Sequence, residues 1–394
     1  MRKPIQALKT SATTLFQRSA WGALLCAPVL CLSSPAVAQG RPDQVFYDGG
    51  RQDSGVVTEN GLSNVLLDRS GKEKRIASAN VVRIIWGQVS NAYREGGTYF
   101  ERGDYENAAA KFGLAASDDA RNVIRAVARM KTGESLLMLG AGDASQYEAA
   151  LEQFATYVKD YPNSRDLPNV YALQARTTLL RGKEGDSATA GAIYRKIFES
   201  GTGATPADGY NRLFSMKAGL GAIRALTSAG DTLGAREISG ILTGEITHMR
   251  TTLEADSSDI AVLDGLASEA QLSEGFVLLA GDQASKAETF FMTQLAGSQG
   301  KASALRYGSM FGLGLAQVAQ NKHREASVNF ATVAATDFTD RDRSALALLH
   351  LAETMIKLGD NGATADARVR LRTVAEAFGD TPSAAAARKL LEEL

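Results

Sequence analysis

Residues Tyr99–Phe112 read YFERGDYENAAAKF. Gly103 stands between two stretches whose apolar and aromatic residues recur at helical spacing, and Asp104 follows it where a second helix needs an N-cap. The stretch predicts a helical hairpin turning at Gly103. Its alanine and phenylalanine also complete a wider pattern: Gly96, then Ala108 twelve residues on, then Phe112 four beyond that. The same spacing returns at Gly275/Ala287/Phe291 and at Gly314/Ala326/Phe330. A small residue on each arm of an antiparallel hairpin lets the axes approach toward the short end of the ~8–10 Å range. The aromatic ring one turn further along is expected to fill the wedge toward the next hairpin. The triplet Arg102-Gly103-Asp104 is an adhesion signal when a flexible loop displays it. Here Gly103 permits a tight turn and Asp104 can cap the second helix, which leaves Arg102 as an exposed charge at the end of the first.

A second copy carries Gly133, Leu136, Gly140, Tyr147, Ala150, Phe154, Tyr157 and Pro162, with AGDAS inserted in its turn. Pro162 ends that copy, because proline has no N–H to give and clashes with the preceding turn. Weaker copies centre on Ala190 with Tyr194, on Ala235, and on Ala367 with Leu371. Together these positions resemble the tetratricopeptide repeat (TPR). The stretch YEAALEQFATYVKDYPNS (147–164) looks like the repeats of bacterial periplasmic TPR proteins, such as the Tol–Pal-associated cell-division coordinator and the β-barrel assembly lipoproteins. The resemblance covers roughly residues 90–394. It implies a mainly α fold, a TPR-like right-handed α-solenoid of about seven helical hairpins closed by a capping helix at Ser383–Leu394. The spacing between copies, near 40 residues rather than ~34, also suits HEAT repeats. The turn glycine and the Gly–Ala–Phe register favour TPR. Repeat boundaries are least defined at Arg181–Asp208 and Arg250–Leu272.

The first forty residues belong to a different class. Residues 1–38 hold four basic side chains (Arg2, Lys3, Lys9, Arg18), no acidic one, the apolar run Trp21–Leu32 and the small-residue exit Ala36-Val37-Ala38. That order predicts a secretory signal peptide cleaved after Ala38. Both cysteines, Cys26 and Cys31, fall inside it, so the mature chain is expected to lack disulfides, thiol chemistry and cysteine-ligated metal. With those four basic residues taken from the chain's 43 Lys and Arg, 39 remain against 44 Asp and Glu, a net charge near −5. Such a chain is a poor binder of nucleic-acid phosphates. No later apolar run of ~18 residues exists, so no membrane span is expected after signal cleavage.

Residues 39–88 read as a small all-β, barrel-like domain of the Sm/SH3-like kind. Short apolar runs at Gln44–Tyr47, Ser54–Thr58, Leu62–Leu67, Arg75–Ala77 and Val81–Trp86 alternate with Asp48-Gly49-Gly50, Glu59-Asn60-Gly61 and Arg69-Ser70-Gly71. Turn residues of this kind between β-branched runs are hairpin signals. Helical patterns alone occupy 89–394.

The sequence offers little for catalysis. The three histidines, His248, His323 and His350, are far apart in sequence and form no HExxH pair. No GxSxG elbow occurs. The glycine-rich stretches GLGLAQ (Gly312–Gln317) and GLGAIRA (Gly219–Ala225) lie within helical patterns, where glycine serves close packing rather than phosphate binding. Asp118-Asp119 and Asp337 with Asp340 read as helix caps. No catalytic, cofactor-binding or metal-binding residue is assigned, and no cofactor is expected.

The expectation is therefore a non-catalytic exported scaffold or adaptor, periplasmic or secreted, that binds envelope proteins or peptide segments through its TPR groove. By register, Tyr93, Gly97 and Phe100 of the first copy face that groove, with Met130, Glu134 and Leu137 as second-copy equivalents. The β domain would add a docking surface or cap the first hairpin. The alternative is a peptidoglycan-binding or peptidoglycan-processing subunit. No heptad run precedes the repeats, so the coordinator's coiled-coil oligomerisation and its Tol-linked role are not carried over.

Overall fold

A computed structural model describes residues 41–47, 50–254, 257–299, 303–379 and 381–394. The signal-peptide reading of residues 1–38 and the Asp48-Gly49 turn lie outside the described residues.

Five antiparallel strands come first: β1 (Asp43–Tyr47), β2 (Arg51–Asn60), β3 (Asn64–Arg69), β4 (Lys72–Ala77) and β5 (Val81–Ile85), in the order β4-β3-β2-β1-β5. A 3₁₀ turn, Ser78–Asn80, joins the last two. The ten-residue β2 serves two neighbours: Arg51–Gly55 pair with β1 and Val56–Asn60 with β3. Gly55 stands at the changeover, where a Cβ would come within 2.4 Å of the Asp68 carbonyl oxygen. The alternation of β2 and β3 sends Val57, Val65 and Leu67 inward to meet Val45, Ile76 and Val81.

Among the described residues, helices make up the rest, in seven successive pairs and a final single helix. The pairs are α1 (Asn91–Glu101) with α2 (Tyr105–Asp118), α3 (Asn122–Leu139) with α4 (Ser145–Asp160), and α5 (Leu167–Arg181) with α6 (Asp186–Gly201). Next come α7 (Arg212–Ser228) with α8 (Thr232–Thr252) and α9 (Asp259–Ala280) with α10 (Ala284–Gly297). The last are α11 (Ala304–Ala319) with α12 (His323–Thr336) and α13 (Arg341–Leu358) with α14 (Ala363–Ala377), followed by α15 (Pro382–Glu393). Each helix packs on the next, as an α-solenoid requires. The glycine–alanine–phenylalanine pattern works through the ring itself. A Cβ on Gly96 would lie 2.9 Å from Phe112, one on Gly133 2.5 Å from Phe154, one on Gly275 2.4 Å from Phe291 and one on Gly314 2.7 Å from Phe330. Each glycine thus seats the ring, and the alanines of the pattern are fully buried. Phe291 is enclosed on its other side by Gly312 of the next pair, 2.3 Å from a notional Cβ, so it does fill the wedge between hairpins. GLGLAQ and GLGAIRA owe their glycines to the same contact, since Gly219 seats Phe198 and Gly221 seats Tyr194.

The pattern is weakest where helices lengthen. The first half of the 22-residue α9 puts Leu263, Leu266 and Ala270 into a core shared with α7 and α8. That extra length explains why 250–272 carries no repeat signature. At the far end, Arg388 of α15 donates to the Ala141 carbonyl in the α3–α4 turn, bringing the last helix back to the second pair.

The sheet and helices belong to one compact unit. Asp43, 1% exposed, accepts from the backbone N–H of Val57 and of Gly87, both at 2.7 Å. Both of its oxygens also meet the guanidinium of Arg121, at 3.1 and 2.5 Å, just ahead of α3. Arg121 donates as well to the Gly87 and Val57 carbonyls. Further along, Gly61 forms a β-bridge with Ser164, Leu62 N donates to Asn163 O at 2.7 Å, and Arg165 reaches the carbonyls of Ser78 and Val81. Ser63 Oγ donates to Asp208 at 2.5 Å. The sheet thus meets the loops that link the first pair to the second, the second to the third and the third to the fourth.

Candidate partner-binding surface

The Gly96–Phe112 contact fixes α1 on α2 and so decides what α1 shows to its surroundings. Gly103 turns the chain at φ +77°, and Asp104 caps α2 by accepting from Asn107 N. Arg102 is left exposed at the end of α1. Tyr93, one turn before Gly96, packs edge-on against Phe112 with ring centres 5.5 Å apart. Burial is the first cause that pushes its hydroxyl pKa up, and the nearby carboxylates of Asp166, Asp119 and Asp43 add to it. Tyr93 is therefore mostly structural cement between the first and second pairs.

Phe100 sits edge-on to Tyr105, ring centres 5.4 Å apart, and the Lys131 ammonium lies 5.0 Å from its ring centre. Lys131 donates in turn to Glu134 at 2.7 Å, one turn along α3. Phe100, Lys131 and Glu134 form a continuous half-exposed patch bridging α1 and α3. Gly97 lies open, since a Cβ there would meet no atom within 4 Å.

Met130 and Leu137 do not reach that surface. Met130 is 7% exposed and is covered from the next pair by Asn169, whose Nδ2 lies 3.6 Å from the sulfur. Leu137 is 4% exposed within the core of Tyr147, Phe154 and Tyr157. Helical register specifies the face on which these two stand, but the incoming α5 is what buries Met130. Of the six residues expected from the register, Gly97, Phe100 and Glu134 remain at the surface. Lys131, which ties two of them together, was legible only as a basic residue three positions before Glu134.

A cavity of about 740 Å³ lies elsewhere, lined by residues of α4, α5 and α6. Of its charged lining residues, Glu148 pairs with Arg181 and with Lys183. The acidic turn residues also have structural duties. Asp119 and Asp337 are buried and accept backbone N–H bonds from Arg121 and Thr339, while Asp340 caps α13 through Arg343 N. His350 stacks on Phe330 with ring centres 5.4 Å apart and meets Glu353 at 2.8 Å, as a packed histidine does. Among the described residues, no three His, Cys, Asp or Glu side chains are placed to share a metal ion. No helix among them is long and apolar enough to cross a membrane.

Comparison with known families places a tetratricopeptide repeat at residues 127–164, which spans most of α3, all of α4 and the turn after it. No curated protein matches the chain.

Proposed function

We propose that the protein is a non-catalytic scaffold, exported to the bacterial cell envelope, that binds protein partners on the surface shared by α1 and α3. Tetratricopeptide repeats are protein-interaction architectures, and solenoids of helix pairs use their extended surfaces to hold peptides or partner helices. The observation that carries the reading is the Phe100–Lys131–Glu134 patch beside the open Gly97. An aromatic ring, a cation and an anion stand together there, each half-exposed. Placement in the envelope rests on the signal-like first 38 residues and on the likeness of 147–164 to periplasmic repeats. The likeness to the division coordinator rests on that same stretch and extends to architecture, not to a Tol-linked task.

The test uses Gly97→Leu. Leucine at an open helical position keeps the packing and improves helix propensity by up to about 1 kcal/mol. Affinity capture from native envelope extract should recover specific proteins with the parent chain and lose them with Gly97→Leu and with Phe100→Ala. Retention of the same set by both variants overturns the surface assignment. Release of soluble muropeptides from sacculi would overturn the non-catalytic reading. An N-terminus at Gln39 in protein purified from the envelope would support export, and an intact Met1 would oppose it.

A further inference from the structure

Two polar contacts join helix pairs that are not neighbours. In the middle of the row, Glu269 of α9 accepts from Arg224 of α7 at 2.8 Å and from Arg343 of α13 at 3.0 Å. The fifth pair is thereby tied to the fourth and, past the sixth, to the seventh. Arg343 is 8% exposed, and its Nε also donates to Asp337 at 2.7 Å. It passes close to Gly308 of α11, where a Cβ would lie 3.6 Å from its Nη1. Pairs set in a curved row can reach past a neighbour only on the inside of the curve. Glu269 and Arg343 therefore mark the inner side, toward which the row bends.

The second contact brings the row back on itself. Arg388 of α15 donates through Nη1 to the Ala141 carbonyl at 2.5 Å and through Nη2 to the Ala375 carbonyl at 3.3 Å. Ala375 lies in the last turn of α14, and Ala141 two residues beyond the end of α3. One guanidinium thus stands between two helix C-termini, each carrying partial negative charge. Burial raises the pKa of Tyr147 at the start of α4, and the charges of Arg176 and Arg388 oppose that rise. The apolar side chains of α15 are used elsewhere. Leu390, Leu391 and Leu394 pack against the core that holds Leu349, Leu371 and Val374 of α13 and α14. That core and the core of the second pair share no residue. A contact carried by one side chain can open while the helices on either side of it stay packed.

We propose that Arg388 is a latch: it closes the helices from α3 to α15 into one turn, and its release opens the inner side while every pair stays folded. The latch does not rest on the α1–α3 patch, and its test reads shape rather than capture. The measurement is double electron–electron resonance on the full chain, with Cys26 and Cys31 replaced by serine. One spin-labelled pair, Ala144→Cys with Lys389→Cys, spans the latch, and both positions are exposed. A second, Lys357→Cys with Lys389→Cys, lies within the last three helices. The parent should give one narrow distance between 144 and 389. Arg388→Ala should shift that distance to longer values and broaden it, with the distance between 357 and 389 unchanged. A 144–389 distance already broad in the parent, or left unchanged by Arg388→Ala, overturns the proposal. So does a change at both labelled pairs, because Arg388 would then seat α15 itself and not hold a separable latch.

Discussion

Two kinds of seam hold this molecule together, and they follow opposite rules. Between helices, the contact is made by shape: a phenylalanine ring enters the space that a glycine leaves by lacking a Cβ, as at Gly133 and Phe154. Between sheet and helices, the contact is made by charge and backbone hydrogen bonds, with Asp43 and Arg121 at the centre. A shape contact tolerates neighbours that vary, provided the volume is kept. A buried ion pair tolerates almost nothing, because removing one partner strands the other in a medium that cannot solvate it. The helical seams can therefore repeat along the chain with imperfect copies, while the sheet is held in one place.

Removing one partner from each seam tests that contrast most strongly. Arg121→Ala should cost about 3–5 kcal/mol by leaving the Asp43 carboxylate buried and unpaired. Phe154→Ala should cost a similar ~3–5 kcal/mol through lost burial and the cavity left behind. Both are read by urea unfolding. The conservative exchanges should then part company. Arg121→Lys cannot rebuild the two-pronged contact and should stay well below the parent. Phe154→Leu keeps most of the volume and should recover much of the loss. Equal recovery in both cases would break the comparison.

A smaller effect is expected from filling the glycine seat. Gly133→Ala places a Cβ about 2.5 Å from the Phe154 ring, which must shift. Overpacking costs ~1–3 kcal/mol, offset by up to ~1 kcal/mol of helix propensity. A net loss of roughly 1 kcal/mol is expected from these two terms. At Gly97, where nothing stands nearby, the same change should stabilise. A gain at both positions would show that the ring does not depend on the missing Cβ.

The two seams also differed in how far the sequence disclosed them. Gly96, Ala108 and Phe112 lie within one hairpin, and their spacing repeats, so periodicity alone marks the helical contacts. The five strands were legible because turn dipeptides punctuate β-branched runs, although β2 proved longer at both ends than its apolar stretch. Asp43 and Arg121 are single polar residues 78 positions apart, and Asn60 and Asp166 are 106 apart. Nothing periodic links them, so the seam emerges only when the chain is folded. The candidate surface falls between these cases. Register leaves Gly97, Phe100 and Glu134 at the surface, yet it could not say that Asn169 from the next pair covers Met130, nor that Lys131 joins Phe100 to Glu134.

The finest test of the contrast compares two carboxylates across pH. Asp186 closes the turn between α5 and α6, where hydrogen bonds from Arg181 hold its pKa below the usual 3.8. Asp166 lies at the sheet seam, where burial pushes its pKa above 3.8 despite Arg165, Asn60 and Lys131. A depressed acid stabilises the fold above its unfolded pKa, and that contribution is lost as pH falls below 3.8 through the folded value. A raised acid does the reverse. Its ionised form weakens the fold at neutral pH, and the penalty is relieved as pH falls through the folded value toward 3.8. Asp186→Asn should therefore lower the melting temperature at pH 7, with a deficit that closes only below pH 3.8. Asp166→Asn keeps an acceptor for Asn60 and removes the buried charge, so it should raise the melting temperature slightly at pH 7. That gain should vanish as the pH is brought down to 3.8. A loss at neutral pH for Asp166→Asn would mean that its charge is as well matched as that of Asp186, and the seam would then rest on pairing throughout.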